Sequence, residues 1–312
     1  MSGETPTPAR RRKAPPRRTI AVGDLHGDLN AFRKILTHED LLDGDSWRGG
    51  RKILVQTGDV IDRGPASLAT FKFLGDLQVR ASKGQGKVVR LAGNHEVMLL
   101  EGDFSLTDFS AADKVADKLR EEVLTGRVQA AFSYGGWLFT HAGVSHSLQS
   151  RLRAEMRAET ERPRRFTLKR LAEHLNRKLV RAVETGCYDD PIFAVGEARG
   201  GLKDSGGGIF WADFDDELHA PPRAPRFHQV FGHTPEGYSG AQFRKTSDGR
   251  RINIDIGITD DYGGNLGYLA IEGREAVAHY LTPEGEEIQF LGEAVRPPAP
   301  VAPTTPSEPQ TA

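Results

Sequence analysis

Cysteine is almost missing from this chain. Its 312 residues hold one, Cys187, so no disulfide framework and no cysteine-rich zinc site can form within it. That scarcity fits a reducing compartment, and a cytoplasmic setting is expected. Net charge is also nearly absent: 42 Lys and Arg balance 43 Asp and Glu, which leaves -1 and argues against a bulk nucleic-acid binder. No apolar run reaches the roughly 18 residues that a membrane span requires. Residues 1–18 are basic and Pro-rich and lack the apolar core of a secretory signal, so they are expected to form a solvated arm. The Pro/Ala/Thr-rich residues 296–312 read the same way, which leaves a folded body over 19–295.

Histidine and aspartate stand in places where packing alone does not put them. "TIAVGDLHGDLN" opens with the apolar run Ile20–Val22, a buried strand by its pattern, and delivers Asp24 and His26 directly after it. "ILVQTGDVIDRG" ends in Asp59, Asp62 and Arg63, and "VVRLAGNHE" ends in Asn94, His95 and Glu96. "LFTHAG" and "VFGHTP" end in His141 and His233. One such strand end is an ordinary turn. Five are not, because a buried carboxylate or imidazole costs several kcal/mol unless paired or metal-bound.

The first third alternates strand and helix. Strands are expected at 20–22, 52–56 and 88–91, with helices at 29–36 and 67–82 between them. This rhythm predicts a largely parallel sheet with its site at the carboxyl ends of the strands. A hairpin over 129–134 and 137–140 follows, then two charged helices at 147–157 and 166–183 that read as a surface cap inserted at about 146–200. The glycines at 206–208 read as a flexible loop before a strand, not a P-loop, since no Lys-Ser/Thr follows. The last third is β-rich, with runs at 229–231, 242–245, 251–256, 268–271, 276–280 and 287–290.

The candidate ligands are all oxygen and nitrogen donors, a set suited to Mn²⁺, Fe or Zn²⁺ rather than a thiolate-selected ion. Six exceed the needs of one catalytic metal with open positions. Two divalent ions sharing one carboxylate fit better, and such pairs activate water and hold phosphoryl oxygens. Asp255, within an apolar run, is a candidate for a supporting role, and Glu96 for orienting its loop.

Taken in order, Asp24-x-His26-Gly27, "GDVIDRG", "GNHE", His141 and "GHTP" resemble the PPP-type metallophosphoesterases, and most of all their bacterial and Shewanella-like branch. The resemblance spans about residues 19–271. It implies an α/β fold, a calcineurin-like sandwich of two mixed sheets flanked by helices with a small helical cap. It implies Asp24, His26 and Asp59 on a first metal, and Asp59, Asn94, His141 and His233 on a second, with Mn²⁺ preferred and Fe or Zn as substitutes. His95 would be the general acid, oriented by Asp62. Arg63, Arg199 and Asn94 would bind the substrate phosphate, attacked by a hydroxide held between the metals. "THAG" stands where many eukaryotic members have His-Gly-Gly, which weakens a eukaryotic-type assignment. The expected activity is a phosphomonoesterase, with a protein phosphatase leading. The rivals are a symmetrical dinucleoside-tetraphosphate hydrolase, a phosphodiesterase and a non-catalytic metal-binding scaffold. The expected partner is a phosphorylated protein or a small phosphomonoester, with no membrane and no nucleic acid, and oligomeric state is left open.

Overall fold

The structure is a computed structural model that describes residues 17–107, 110–159, 165–219 and 227–293. Most of the basic arm (1–16) and the tail (296–312) lie outside the described residues. The elements in chain order are β1 (Thr19–Val22), α1 (Leu29–His38), β2 (Leu42–Asp43), β3 (Ser46–Trp47), β4 (Ile53–Gln56), α2 (Ser67–Lys83), β5 (Lys87–Leu91) and α3 (Asn94–Glu101). Then follow α4 (Ala112–Leu124), β6 (Val128–Gln129), β7 (Phe132–Tyr134), β8 (Trp137–Phe139), α5 (His146–Ala158) and α6 (Leu168–Thr185). The chain closes with β9 (His228–Phe231), β10 (Arg244–Lys245), β11 (Arg251–Asn253), β12 (Leu266–Glu272), β13 (Glu275–Thr282) and β14 (Gly285–Glu293).

Two sheets face each other across one core. The first has the order β14-β13-β12-β1-β4-β5-β6, and the second has the order β10-β11-β9-β8-β7. In the first sheet, β1, β4, β5 and β6 run parallel, as the alternating pattern predicts. In the second, β8, β9 and β11 are parallel neighbours. β1 and β4 are buried at every position because both faces of their sheet are covered, which is why they read as unbroken apolar runs. The Phe243 ring stands 5.2 Å from the Tyr280 ring, and Phe243 N donates to the Tyr280 hydroxyl, joining the sheets.

The helices follow their apolar faces. Asp28 caps α1 by accepting from Ala31 N at 2.8 Å, and Ala31, Phe32, Ile35 and Leu36 point inward. α6 covers the second sheet at β7 and β8, and α5 precedes it in the chain. They bury Leu148, Leu152 and Met156 from α5 and Leu171, Leu175 and Leu179 from α6.

Three expectations of local structure need correction. The run 129–134 is not one strand. Gln129 belongs to the first sheet and Phe132 to the second, because Asn176 Oδ1 on α6 accepts from both Ala130 N and Ala131 N at 2.9 Å and takes those groups out of any ladder. No strand follows the glycines at 206–208. Gly207 and Gly208 are buried, and a Cβ at Gly208 would meet the Ile192 carbonyl, so this stretch is packed rather than loose. Two helices, α3 and α4, were not expected. α4 buries Val115, Ala116, Leu119 and Val123, and adds to them a buried pair, Glu122 with Arg90 of β5 at 2.6 Å.

Candidate metal centre

The two parallel strand sets end at the same place. β1, β4 and β5 deliver Asp24 and His26, Asp59 to Arg63, and Asn94 with His95, while β8, β9 and β11 deliver His141, His233 and Asp255. The structure brings together every residue expected there. Asp24, His26, Asp59, Asp62, Asn94, His95, His141, His233 and Asp255 are all buried. Nine non-glycine residues have positive φ among the described ones, and five are His26, Asp59, Asp62, Arg63 and His233. Such backbone costs about 1–3 kcal/mol per residue and gathers where function demands a particular orientation.

Asp59 stands at the middle. Its Oδ2 lies 3.7 Å from His26 Nε2 and 3.6 Å from His141 Nε2. Its Oδ1 accepts from His95 N at 3.1 Å, at the amino end of α3, where the helix dipole favours a negative charge. Burial works against its ionised form, but the surrounding His141, His95, His26 and His233 hold Asp59 well below the usual carboxylate range.

The histidine tautomers can be read from their outer partners. His26 Nδ1 lies 3.1 Å from the Ile61 carbonyl, and His141 Nδ1 lies 3.0 Å from the Thr57 carbonyl. A carbonyl accepts only, so each Nδ1 carries the proton and each Nε2 turns a lone pair inward. Burial lowers His26 to about 4 and also lowers His141 and His233, which keeps all three neutral. His141 Nε2 then faces Asn94 Oδ1 at 2.9 Å and His233 Nδ1 at 3.0 Å. His141 Nε2 and Asn94 Oδ1 are both acceptors, and two buried acceptors face to face are relieved by a cation between them.

Asp24 points to the same need. Its Oδ2 accepts from His233 N at 3.0 Å, and its Oδ1 is buried without a partner. Burial, then Asp255 and Asp59, push its carboxyl well above the usual range. Gly232 is required beside it, because a Cβ there would land on Asp24 Oδ1. Two groups have ligand atoms within 4.8 Å of one another: His26 with Asp59 and His95, and Asp59 with His141 and His233. The donor set and the unpartnered oxygen therefore fit divalent metal ions.

Glu96 and Asp62 hold the frame. Glu96 accepts from Asp59 N (2.8 Å), Val60 N (2.9 Å) and Gly93 N (2.8 Å), which fixes its orienting role. Burial raises it to about 7 despite those donors. Asp62 Oδ2 lies 2.7 Å from His95 Nδ1. Burial opposes the charged form of His95, yet Asp59 and Asp62 raise its pKa on balance.

A cleft of about 420 Å³ opens over this centre, lined among others by Arg63, Arg199, Trp211, Asp213, Thr234 and Tyr262. Among the described residues none of α5 or α6 lines it, whereas Arg199, at the end of the expected cap segment 146–200, does. The Arg63 guanidinium sits 5.3 Å from the centre of the Tyr262 ring, and Trp211 meets His233 edge to face at 5.8 Å. Sequence reasoning passed over Tyr262, Asp213 and Thr234. Only the turn chemistry of "DDYGGN" and the adjacency of Thr234 to His233 marked them.

Buried O/N donors from the ends of two sheets, with two arginines lining the same cleft, make up the candidate metal centre. Residues 17–248 match the calcineurin-like phosphoesterase family, and the chain belongs to it; the family implies divalent metal ions. Over 90 residues, 28% of this chain, the sequence is 46% identical to Shewanella-like protein phosphatase 2 of Arabidopsis thaliana, and that match covers 23% of the relative. Over 132 residues, 40% of this chain, it is 33% identical to a symmetrical bis(5'-nucleosyl)-tetraphosphatase of Janthinobacterium sp. (strain Marseille), covering 43% of that protein. Both matches span less than half of the relative's length. The fold is shared with the cold-active protein-tyrosine phosphatase of a psychrophilic Shewanella sp., at a TM-score of 0.61 and 18% identity over 88% of this chain and 80% of that one. No helix among the described residues is long and apolar enough to cross a membrane.

Proposed function

We propose that this chain is a phosphomonoesterase that acts on phosphorylated protein. The observation that carries the reading is two functions in one cleft: Arg63 and Arg199 line the same cavity as His26, Asp59, Asn94 and His233. A phosphomonoester dianion needs its oxygens neutralised, and arginine does this bidentately. Asp24, His26 and Asp59 would hold one metal, and Asp59, Asn94, His141 and His233 a second. His95 takes the acid role in this reading because, against the effect of burial, Asp59 and Asp62, the latter 2.7 Å from its Nδ1, raise its pKa and favour the protonated ring. When bound, the metals supply Lewis acidity and a water of lowered pKa. The protein's own part is to neutralise the phosphate with Arg63 and Arg199 and to protonate the leaving oxygen from His95 Nε2. Mn²⁺ suits the mixed oxygen and nitrogen donors best, with Fe or Zn as substitutes. Oligomeric state has no bearing on this scheme, and the lone exposed Cys187 fits a cytoplasmic setting.

The nucleotide alternative would need ring faces for bases. Trp211 and Tyr262 are the aromatic residues lining the cleft, and both are engaged, one against His233 and the other under Arg63. The test compares kcat/KM of Mn²⁺-loaded enzyme on a phosphotyrosyl peptide, a phosphothreonyl peptide, diadenosine tetraphosphate and bis-nitrophenyl phosphate. A phosphopeptide should lead. A lead for diadenosine tetraphosphate would overturn the protein-phosphatase reading, and a lead for the diester would overturn the monoesterase.

A further inference from the structure

The two arginines of the cleft are not equivalent. Arg63 is exposed on its strand-end turn, with the Tyr262 ring beside it. Arg199 closes a short turn, Glu197–Arg199, and reaches back into the cleft, where its Nη2 lies 2.8 Å from Asp213 Oδ2 and donates to Thr234 Oγ1 at 2.8 Å. All three residues line the cleft. Its Nε is buried without a partner, so the guanidinium is held from the Nη2 side.

Both grips on Nη2 are themselves fixed. Asp213 Oδ1 accepts from Asp215 N at 2.8 Å and Asp216 N at 3.3 Å, which leaves Oδ2 aimed at Arg199. Thr234 Oγ1 also accepts from Phe214 N at 3.2 Å. The Thr234 carbonyl accepts from Arg244 Nη2 at 2.7 Å and Asn253 Nδ2 at 2.6 Å. The Asp213 side chain is only 12% exposed, so little solvent screens its charge.

We propose that Asp213 is a positioning residue that holds Arg199 and limits how firmly the cleft grips a phosphate dianion. The inference rests on the phosphate-binding reading of Arg199 given above. A phosphate that docks on Arg199 meets a cation already shared with a carboxylate, and the two anions repel across the guanidinium. Arg63 then provides most of the attraction, while the Asp213–Arg199 pair provides orientation and keeps inorganic phosphate, the product, from binding too tightly. Specificity follows from the same geometry: the clamp disfavours a small free dianion more than a substrate that makes contacts elsewhere in the cleft.

The test is inhibition by orthophosphate together with nitrophenyl phosphate kinetics. Asp213→Asn keeps its one oxygen for the Asp215 and Asp216 N–H groups and turns an NH₂ toward Arg199, so it removes the charge and the Oδ2 contact together. It should lower the orthophosphate Ki and the KM together by about fivefold, the range expected of one partly screened charge pair, while kcat moves less. Asp213→Glu should bring Ki back toward the wild-type value. Arg199→Ala should raise Ki, and adding Asp213→Asn to it should change nothing further. An unchanged Ki in Asp213→Asn overturns the proposal, and so does an equal drop in the Arg199→Ala background, since Asp213 would then act on the phosphate directly. If Arg199→Ala leaves Ki untouched, the phosphate-binding role of Arg199 is what fails. Thermal denaturation of each variant separates these outcomes from loss of the fold, and if the asparagine variant melts, Asp213→Ser, which also removes the charge and keeps a hydroxyl acceptor, should show the same lowered Ki; an unchanged Ki there overturns the proposal.

Discussion

Glu96 gives the sharpest test of how the site is framed. Its carboxylate is buried and accepts three backbone N–H groups, two on Oε2 and one on Oε1. Glu96→Gln keeps the shape, but one carboxylate oxygen becomes an NH₂ that faces an N–H donor. Hydrogen bonds to a charged acceptor contribute about 1.5–3 kcal/mol each, and a buried donor left unsatisfied costs about 1–3 kcal/mol. One bond is lost outright and two are weakened, so a loss of about 2–4 kcal/mol is expected. For a domain of this size that corresponds to a Tm lower by about 3–7 °C. Two of the three donors, Asp59 N and Val60 N, belong to the turn that carries Asp59, so its carboxylate should shift as well. The assay is thermal denaturation followed by circular dichroism on metal-stripped and Mn²⁺-loaded protein, with metal content by mass spectrometry. A lower Tm in the stripped protein, and less bound metal after loading, are the expected results. A Tm within 2 °C of wild type and full metal content would refute the reasoning, because the three bonds would then contribute nothing.

The remaining predictions concern the centre itself. Asp59→Asn should lower metal content and activity in parallel, since its carboxylate faces both His26 and His141; retained metal with lost activity would contradict a bridging role. His95→Asn should keep the metals and lose about 10²–10⁴-fold in rate on alkyl phosphates, with a smaller loss on nitrophenyl phosphate, whose leaving group departs without a proton. Equal losses on the two substrates would remove His95 from the acid role. A strong chelator should abolish activity, and Mn²⁺ should restore it better than Mg²⁺, which prefers all-oxygen coordination; full turnover in a metal-free sample would sink the metal-dependent scheme.

The centre was legible in the sequence to an unusual degree, and the reason is local. Asp24, Asp59, Asn94, His141 and His233 each follow directly on an apolar strand, so the strand pattern alone says where their side chains gather. Glu96 sits three residues beyond Gly93 at the start of α3 and was readable as an orienting group for the same reason. What was illegible depends on contacts between distant segments. Asp213 is tied to Arg199 and to its own turn, and nothing in the string around it says that the arginine will fold back to it. α4 mixes a charged residue into its buried face, Glu122 against Arg90, and a hydrophobic pattern does not register that pair. Asp255, a supporting candidate on sequence grounds, is buried at the cleft, and burial raises it to about 7.

The split strand at 129–134 bears on how natural variation in this chain would be interpreted. Asn176 lies outside every recognisable signature, on a helix that does not line the cleft, yet its one side-chain oxygen decides where the chain crosses from the first sheet to the second. Its amide nitrogen donates back to the Ala131 carbonyl at 3.0 Å, so the crossing is pinned from both directions. The chain enters the second sheet only a few residues later and then delivers His141 to the metal centre. Replacing Asn176 by a residue that cannot do both jobs would leave three buried backbone groups competing for water. A patient geneticist or a deep mutational scan would record the result as a loss of catalysis, although the altered residue touches neither metal nor substrate.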